Sequence, residues 1–158
     1  MRYFIAPHLA FLVQWIRILG IDVQIWKKEV VLQPEEEELI QWERTPLPFP
    51  GQGIRIITLS ASSRAALLKE FLTKVGIQPE IAMMFKRCLL CNGPLQPLNR
   101  AEAIEKAPEL PEYVLRTQSR FNWCEGCRKI YWAGTHVQNM IRTLQEWDIL
   151  PPPQKVHS

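Results

Sequence analysis

The chain's four cysteines fall in two equal spacings, Cys88-Leu-Leu-Cys91 and Cys124-Glu-Gly-Cys127. Two such pairs supply four thiolates, a complete tetrahedral set for Zn²⁺. Turn residues accompany both pairs: Asn92-Gly93-Pro94 follows the first, and Gly126 lies inside the second. Small turn residues let a backbone wrap an ion and aim amides at the sulfurs. A closed set of four protein ligands leaves no open coordination position. Zinc bound by Cys88, Cys91, Cys124 and Cys127 is therefore expected to hold the fold and not to catalyse. Two disulfides are the competing reading. They need an oxidising compartment, and no secretory pattern marks the chain for one. The expected setting is cytoplasmic, with reduced thiols.

A second group of residues surrounds the later pair. Trp123, Tyr131 and Trp132 flank it, and Arg128 and Lys129 stand between them. Aromatic side chains interleaved with cations can stack on bases and grip phosphates. In a hairpin, alternation places Lys129 and Tyr131 on one face and Ile130 and Trp132 on the other. Trp132 is then expected in the core. His136 follows Gly134-Thr135 at a helix start, where it can meet a phosphate or orient the ribbon through a local hydrogen bond. Arg87, Arg120, Arg128, Lys129, Tyr131 and His136 are the expected nucleic-acid contacts.

These residues need a scaffold, and 158 residues suffice for one domain with a small module. The net charge of +3 is mild, and its whole excess falls in residues 86–158. That is a weak pointer to an anionic partner there. The apolar opening segment is interrupted by Pro7, His8, Gln14, Arg17 and Gly20, so no membrane span is expected. Arg2 to Ala6 reads as a strand, and Pro7 opens a helix that Gly20 stops. Asp22 to Trp26 reads as a second strand. Pro34 with Glu35, Glu36, Glu37 and Glu38 in a first turn predicts a second helix. Ile54 to Thr58 is a third strand, followed by a helix capped by Ser60, Ser62 or Ser63 and ended by Gly76. Alternating strands and helices predict an α/β fold with a parallel sheet flanked by helices. Phe121 to Trp132 predicts a hairpin, and Thr135-x-x-Gln138 a capping box on a last helix. The expected division is an α/β domain over 1–85, a ribbon over 86–133 and a packing helix over 134–150.

Arg87-Cys-Leu-Leu-Cys-Asn92, Cys124-Glu-Gly-Cys-Arg-Lys-Ile-Tyr-Trp132 and Gly134-Thr-His136 together resemble the mut-seven C-terminal ribonuclease-domain family. Trp15-Ile-Arg-Ile-Leu-Gly-Ile-Asp22 is similar to that family's first helix and second strand. The resemblance implies a PIN-like sheet fused to a zinc ribbon, and metal-dependent RNA cleavage. PIN-type sites gather acids at the carboxyl edge of the sheet to hold Mg²⁺ or Mn²⁺, which activates water. Here Ala6 stands where the first strand's aspartate is expected, and Ser60 where the acid after the third strand is expected. One of Glu35–Glu38 could meet a further acid position, whereas Asp22 lies at the wrong end of the sheet. The resulting expectation is a pseudo-nuclease that binds RNA or a ribonucleoprotein through its zinc ribbon. Two alternatives stand beside it. One is an active ribonuclease with a rearranged acidic site holding Mg²⁺ or Mn²⁺. The other is a protein-interaction module that uses the apolar first helix, the loop Pro46–Pro50 and the tail Pro151–Pro153.

Overall fold

The structure is a computed structural model that describes residues 1–48 and 50–153. Phe49, in the proline-rich loop, lies outside the described residues. Two compact units divide the chain, Met1–Asn92 and Gly93–Ser158.

The first unit is built on four parallel strands: β1 (Arg2–Ile5), β2 (Val23–Ile25), β3 (Glu37–Trp42) and β4 (Arg55–Leu59), in the order β2-β1-β3-β4. A 3-10 turn over Pro7–Leu12 runs into α1 (Val13–Ile18), which returns the chain to β2. Helix α2 (Arg64–Val75) follows β4. The Ser63 side chain caps it by accepting from the Ala66 amide at 3.2 Å, and Gly76 closes it at φ 72°. Both ends are as expected. Gly20 has φ 83°, and a Cβ there would stand 2.1 Å from the Met83 carbonyl oxygen, so only glycine fits.

The two faces of this sheet are covered differently. Phe4 and Leu39 meet Trp26 and Leu32, with Val30, Leu47 and Ile54 packed on, so coil covers that face. On the other face the Tyr3 ring meets Phe71 of α2 edge-on, with centroids 5.2 Å apart.

The helix expected from Pro34 is not formed. One turn begins, with the Glu36 and Glu37 amides both donating to the Gln33 carbonyl. The chain then extends into β3, between β1 and β4. Leu39 and Ile40 are adjacent and both fully buried. A surface helix buries one stripe, whereas a central strand of a parallel sheet is covered on both faces. Burial on both sides therefore outweighs the local helix signals of Pro34 and its glutamates. Glu38 is held across the sheet by Arg55 at 3.3 Å.

The second unit carries an antiparallel sheet of β5 (Gln96–Leu98), β6 (Phe121–Cys124) and β7 (Lys129–Tyr131). The expected hairpin is present as β6 and β7. Strand β5 contains Pro97 and sits at an edge, where proline's missing amide costs no ladder bond. Helices α3 (Arg100–Lys106) and α4 (Glu112–Thr117) lie between β5 and β6 in sequence. A capping box forms at Asn99 and Glu102 of α3. The one expected at Thr135 does not: α5 (Thr135–Glu146) is capped by Gly134, with no side-chain cap bond. A Cβ on Gly134 would lie 2.8 Å from the Trp132 indole nitrogen, so this cap position has no room for a side chain. Leu98, Ala103, Val114, Phe121 and Trp123 form one core cluster, with Ile130 and Trp132 packed against it. Ile130 and Trp132 are partly buried against this core, and both also line a surface groove that Lys129 and Tyr131 share, so the alternation separates the two pairs only in part.

Candidate functional site

The ligand atoms of Cys88, Cys91, Cys124 and Cys127 all lie within 4.8 Å of one another. They stand as thiols and not as disulfides. Tetrahedral coordination at a Zn–S distance of about 2.3 Å puts the sulfurs about 3.8 Å apart. The cluster therefore meets a tetrahedral ion after small inward movements, and the donor set fits a soft divalent metal. Cys88 and Cys124 are buried. Their burial keeps water from half of the site.

Each knuckle closes in the same way. The residue after the second cysteine adopts a left-handed conformation, with φ 69° at Asn92 and 51° at Arg128. That turn lets the amides behind it face the first cysteine. Asn92 N–H donates to the Cys88 carbonyl at 2.9 Å, and Cys127 N–H to the Cys124 sulfur at 3.4 Å. Asparagine tolerates the left-handed region well, and arginine less so.

The first knuckle is bound to the sheet unit by polar groups. Asn92 is 2% exposed; its Oδ1 accepts from the Val23 amide at 3.1 Å, and its Nδ2 donates to Asp22 at 2.6 Å. Asp22 also receives Arg2 at 3.2 Å and Arg87 at 3.6 Å. Arg87 donates to the Asn92 carbonyl as well, at 3.2 Å. Asp22 precedes β2 at the amino edge, and its carboxylate is taken up by these partners. Arg17, on α1, is 6% exposed. Its Nη1 donates to the carbonyls of Leu89 and Leu90, the two residues between the cysteines, at 3.0 and 3.1 Å. Its Nε donates to the Val23 carbonyl at 3.2 Å. Burial pushes the guanidinium pKa down, and the negative fields of Cys91, Cys88 and Asp22 offset part of that. Sequence reasoning treated Arg17 only as a break in an apolar run. A single cation amid apolar neighbours was the signal available.

The carboxyl edge of the parallel sheet is where a PIN-type site would lie. Ala6 follows β1 there and is fully buried, and its amide donates to the Ile40 carbonyl at 2.8 Å. Ser60 follows β4. Two acids are nearby. Glu43, which follows β3, is exposed and donates its amide to the Leu59 carbonyl at 2.8 Å. Glu70 of α2 accepts from the amides of Ser60 at 2.9 Å and Ala61 at 3.0 Å, and pairs with Lys74 at 2.8 Å. Burial raises its pKa, but the bonds from Lys74, Ala61 and Ser60 outweigh that and hold it below the ordinary value. Its bonds stabilise the fold fully above the unfolded pKa, near 4.5, and that contribution is lost as pH falls through the lower folded value. Glu70→Gln is therefore expected to show a stability deficit that is constant above about pH 4.5 and closes below it. Urea titrations of both proteins from pH 3 to 7 check this, and parallel curves across that range would contradict it.

Glu35–Glu38 lie at the opposite, amino edge. Arg2 pairs with Glu37, and Tyr3 with Glu38, in the β1–β3 register. They are thus far along the strands from Ala6 and Ser60. Among the described residues, the four cysteines are the one group of three or more ligand-type side chains placed to hold a metal.

The expected contact residues divide. Arg87 serves the first knuckle. Arg120 and Arg128 are exposed. Lys129, Tyr131 and His136 line one groove of about 740 Å³ in the second unit, and the Lys129 ammonium lies 5.5 Å from the Tyr131 ring centre. Tyr113, Gln138, Asn139 and Arg142 line it too, and sequence reasoning missed them. Tyr113 and Arg142 belong to different helices, so no local pattern joins them to the ribbon. No described helix is long and apolar enough to cross a membrane.

Fold and site together define an α/β protein that carries a four-cysteine ribbon. The profile of the Mut7-C RNAse domain matches residues 1–144, and the chain belongs to that family. Comparisons with curated proteins and with solved structures find no match.

Proposed function

We propose that this protein is a degenerate PIN-type member of its ribonuclease family that binds RNA, alone or within a ribonucleoprotein, without cutting it. One observation carries the reading: the carboxyl edge of the sheet presents Ala6 and Ser60, and Glu70 beside them is engaged by two amides and Lys74. A methyl group cannot coordinate a hard cation, and a carboxylate already holding four donors, the Ser60 hydroxyl included, is a poor ligand. Glu35–Glu38 are at the other edge, and Glu43 is one exposed carboxylate at this edge, where a PIN-type site gathers several. The four cysteines hold a structural zinc ion, because soft thiolates in a tetrahedral set favour it. Reduced thiols suit a cytoplasmic setting.

Incubation of the purified protein with single-stranded and structured RNA and Mn²⁺ tests the loss of cleavage. The expected result is intact RNA and no Mn²⁺-dependent rise in melting temperature. Cleavage abolished by Glu70→Gln or by Glu43→Gln would restore the active-ribonuclease reading. Ala6→Asp alone is expected to bury an unpaired charge at a cost of about 3 kcal/mol without gaining activity.

A further inference from the structure

We propose that the groove between α4, β7 and the start of α5 is the binding site for a short single-stranded RNA segment. The inference rests on the RNA-binding reading above and assigns it a place. The groove lies wholly within the second unit and measures about 740 Å³. That is the size of a pocket for one or two nucleotides, on the order of a small-molecule site, and too small for a duplex.

Its chemistry is one-sided. Lys129, His136 and Arg142 are the charged or titratable side chains on its walls, and no carboxylate lines it. This holds although the second unit carries several glutamates, which face elsewhere. Tyr113, Tyr131 and Trp132 bring aromatic rings to the same walls. Every base has a π-face, so such rings bind unpaired bases with little sequence preference, and adjacent cations take the phosphates. The Lys129 ammonium near the Tyr131 ring already sets a phosphate-binding charge beside an aromatic surface. The first turn of α5 adds backbone amides and a positive dipole end to the cationic wall. Gln138 and Asn139 offer both donors and acceptors to base edges. Stacking needs bases that are not paired, so a single strand is the fitting occupant and an acidic peptide is not.

The test is fluorescence anisotropy with a labelled oligouridylate of about a dozen nucleotides, with the same length of RNA duplex in parallel. The full, zinc-loaded chain is used. Tyr131→Ala and Arg142→Ala are each expected to weaken single-strand binding about tenfold, as losses of one stack and one phosphate contact. The exposed His136→Ala and Arg142→Glu variants keep the test sound if Tyr131→Ala fails to fold. Arg120→Ala, outside the groove, is expected to change affinity less than threefold. Salt should weaken binding, and duplex should bind at least tenfold less tightly. If RNA binds and none of the groove variants changes its affinity, the groove assignment is overturned while the RNA-binding reading stands. If the wild-type protein binds no RNA at moderate salt, both fall. Displacement of the RNA by poly-glutamate at equal charge would overturn the assignment to RNA in favour of a general anion groove.

Discussion

Stripping the metal from this protein is expected to unfold the ribbon. Each chain should carry one equivalent of zinc by elemental analysis. Removing it with a chelator should abolish the near-ultraviolet signal of Trp123, which is buried in the second unit's core. The apparent binding free energy at stake is on the order of 10 kcal/mol, as for other small thiolate-zinc modules. The cluster around Trp123 holds five buried residues with a few partly buried neighbours, a small core to offset the loss of chain entropy once the metal is gone. Cys124→Ser should act in the same direction, because Cys124 is buried and its sulfur also accepts the Cys127 amide. Metal binding requires deprotonated thiols, so retention should weaken as pH falls. A metal-free protein with unchanged unfolding, or mass spectrometry showing two disulfides, would overturn the zinc assignment.

Replacing Arg17 is the next largest expected effect. Arg17→Met removes the donor to the carbonyls of Leu89, Leu90 and Val23. Hydrogen bonds from a charged group contribute about 1.5–3 kcal/mol each, and the orphaned carbonyls are costly where buried. A loss of at least about 3 kcal/mol in urea unfolding is expected. Four thiolates around a divalent ion leave net negative charge, and the guanidinium beside Cys88 and Cys91 offsets part of it. Chelator-driven metal release should therefore quicken about tenfold, a separate readout from global stability. Arg17→Lys should recover only part of either effect, because one ammonium cannot reach the acceptors that a planar fork spans. Unchanged release from a folded Arg17→Met protein would show that Arg17 serves the sheet and not the knuckle.

Some of this was legible in the order of residues. The doubled C-x-x-C needs only local spacing, because each knuckle is a short turn that carries its own ligands. Helix α2 was legible for the same reason: Ser63 caps it, Gly76 ends it and its apolar stripe repeats between them. The hairpin of β6 and β7 follows from alternation, which also put Trp132 against the core, though part of it lines the groove. Ala6 and Ser60 stand out only against the acid positions that the resemblance implies.

Other features required the folded chain. Pro34 and four glutamates carry every local sign of a helix start, yet Leu39 and Ile40 become a central strand. Propensity within one segment is worth a few tenths of a kcal/mol per residue, and pairing between β1 and β4 with burial of both sheet faces exceeds it. Moving those residues into a strand also moved Glu35–Glu38 to the amino edge, away from Ala6 and Ser60. Arg17 and Asn92 became anchors of the first knuckle through partners about seventy positions away. Periodicity cannot report such pairings. The groove gathers Tyr113, Tyr131, His136 and Arg142 from separate elements, and only tertiary packing brings them to one wall. The sequence alone determined which atoms could hold a metal and that positions 6 and 60 carry no carboxylate, because those are properties of residue type and near spacing. The tertiary structure decided what surrounds them, because burial and long-range hydrogen bonds exist only once distant segments meet.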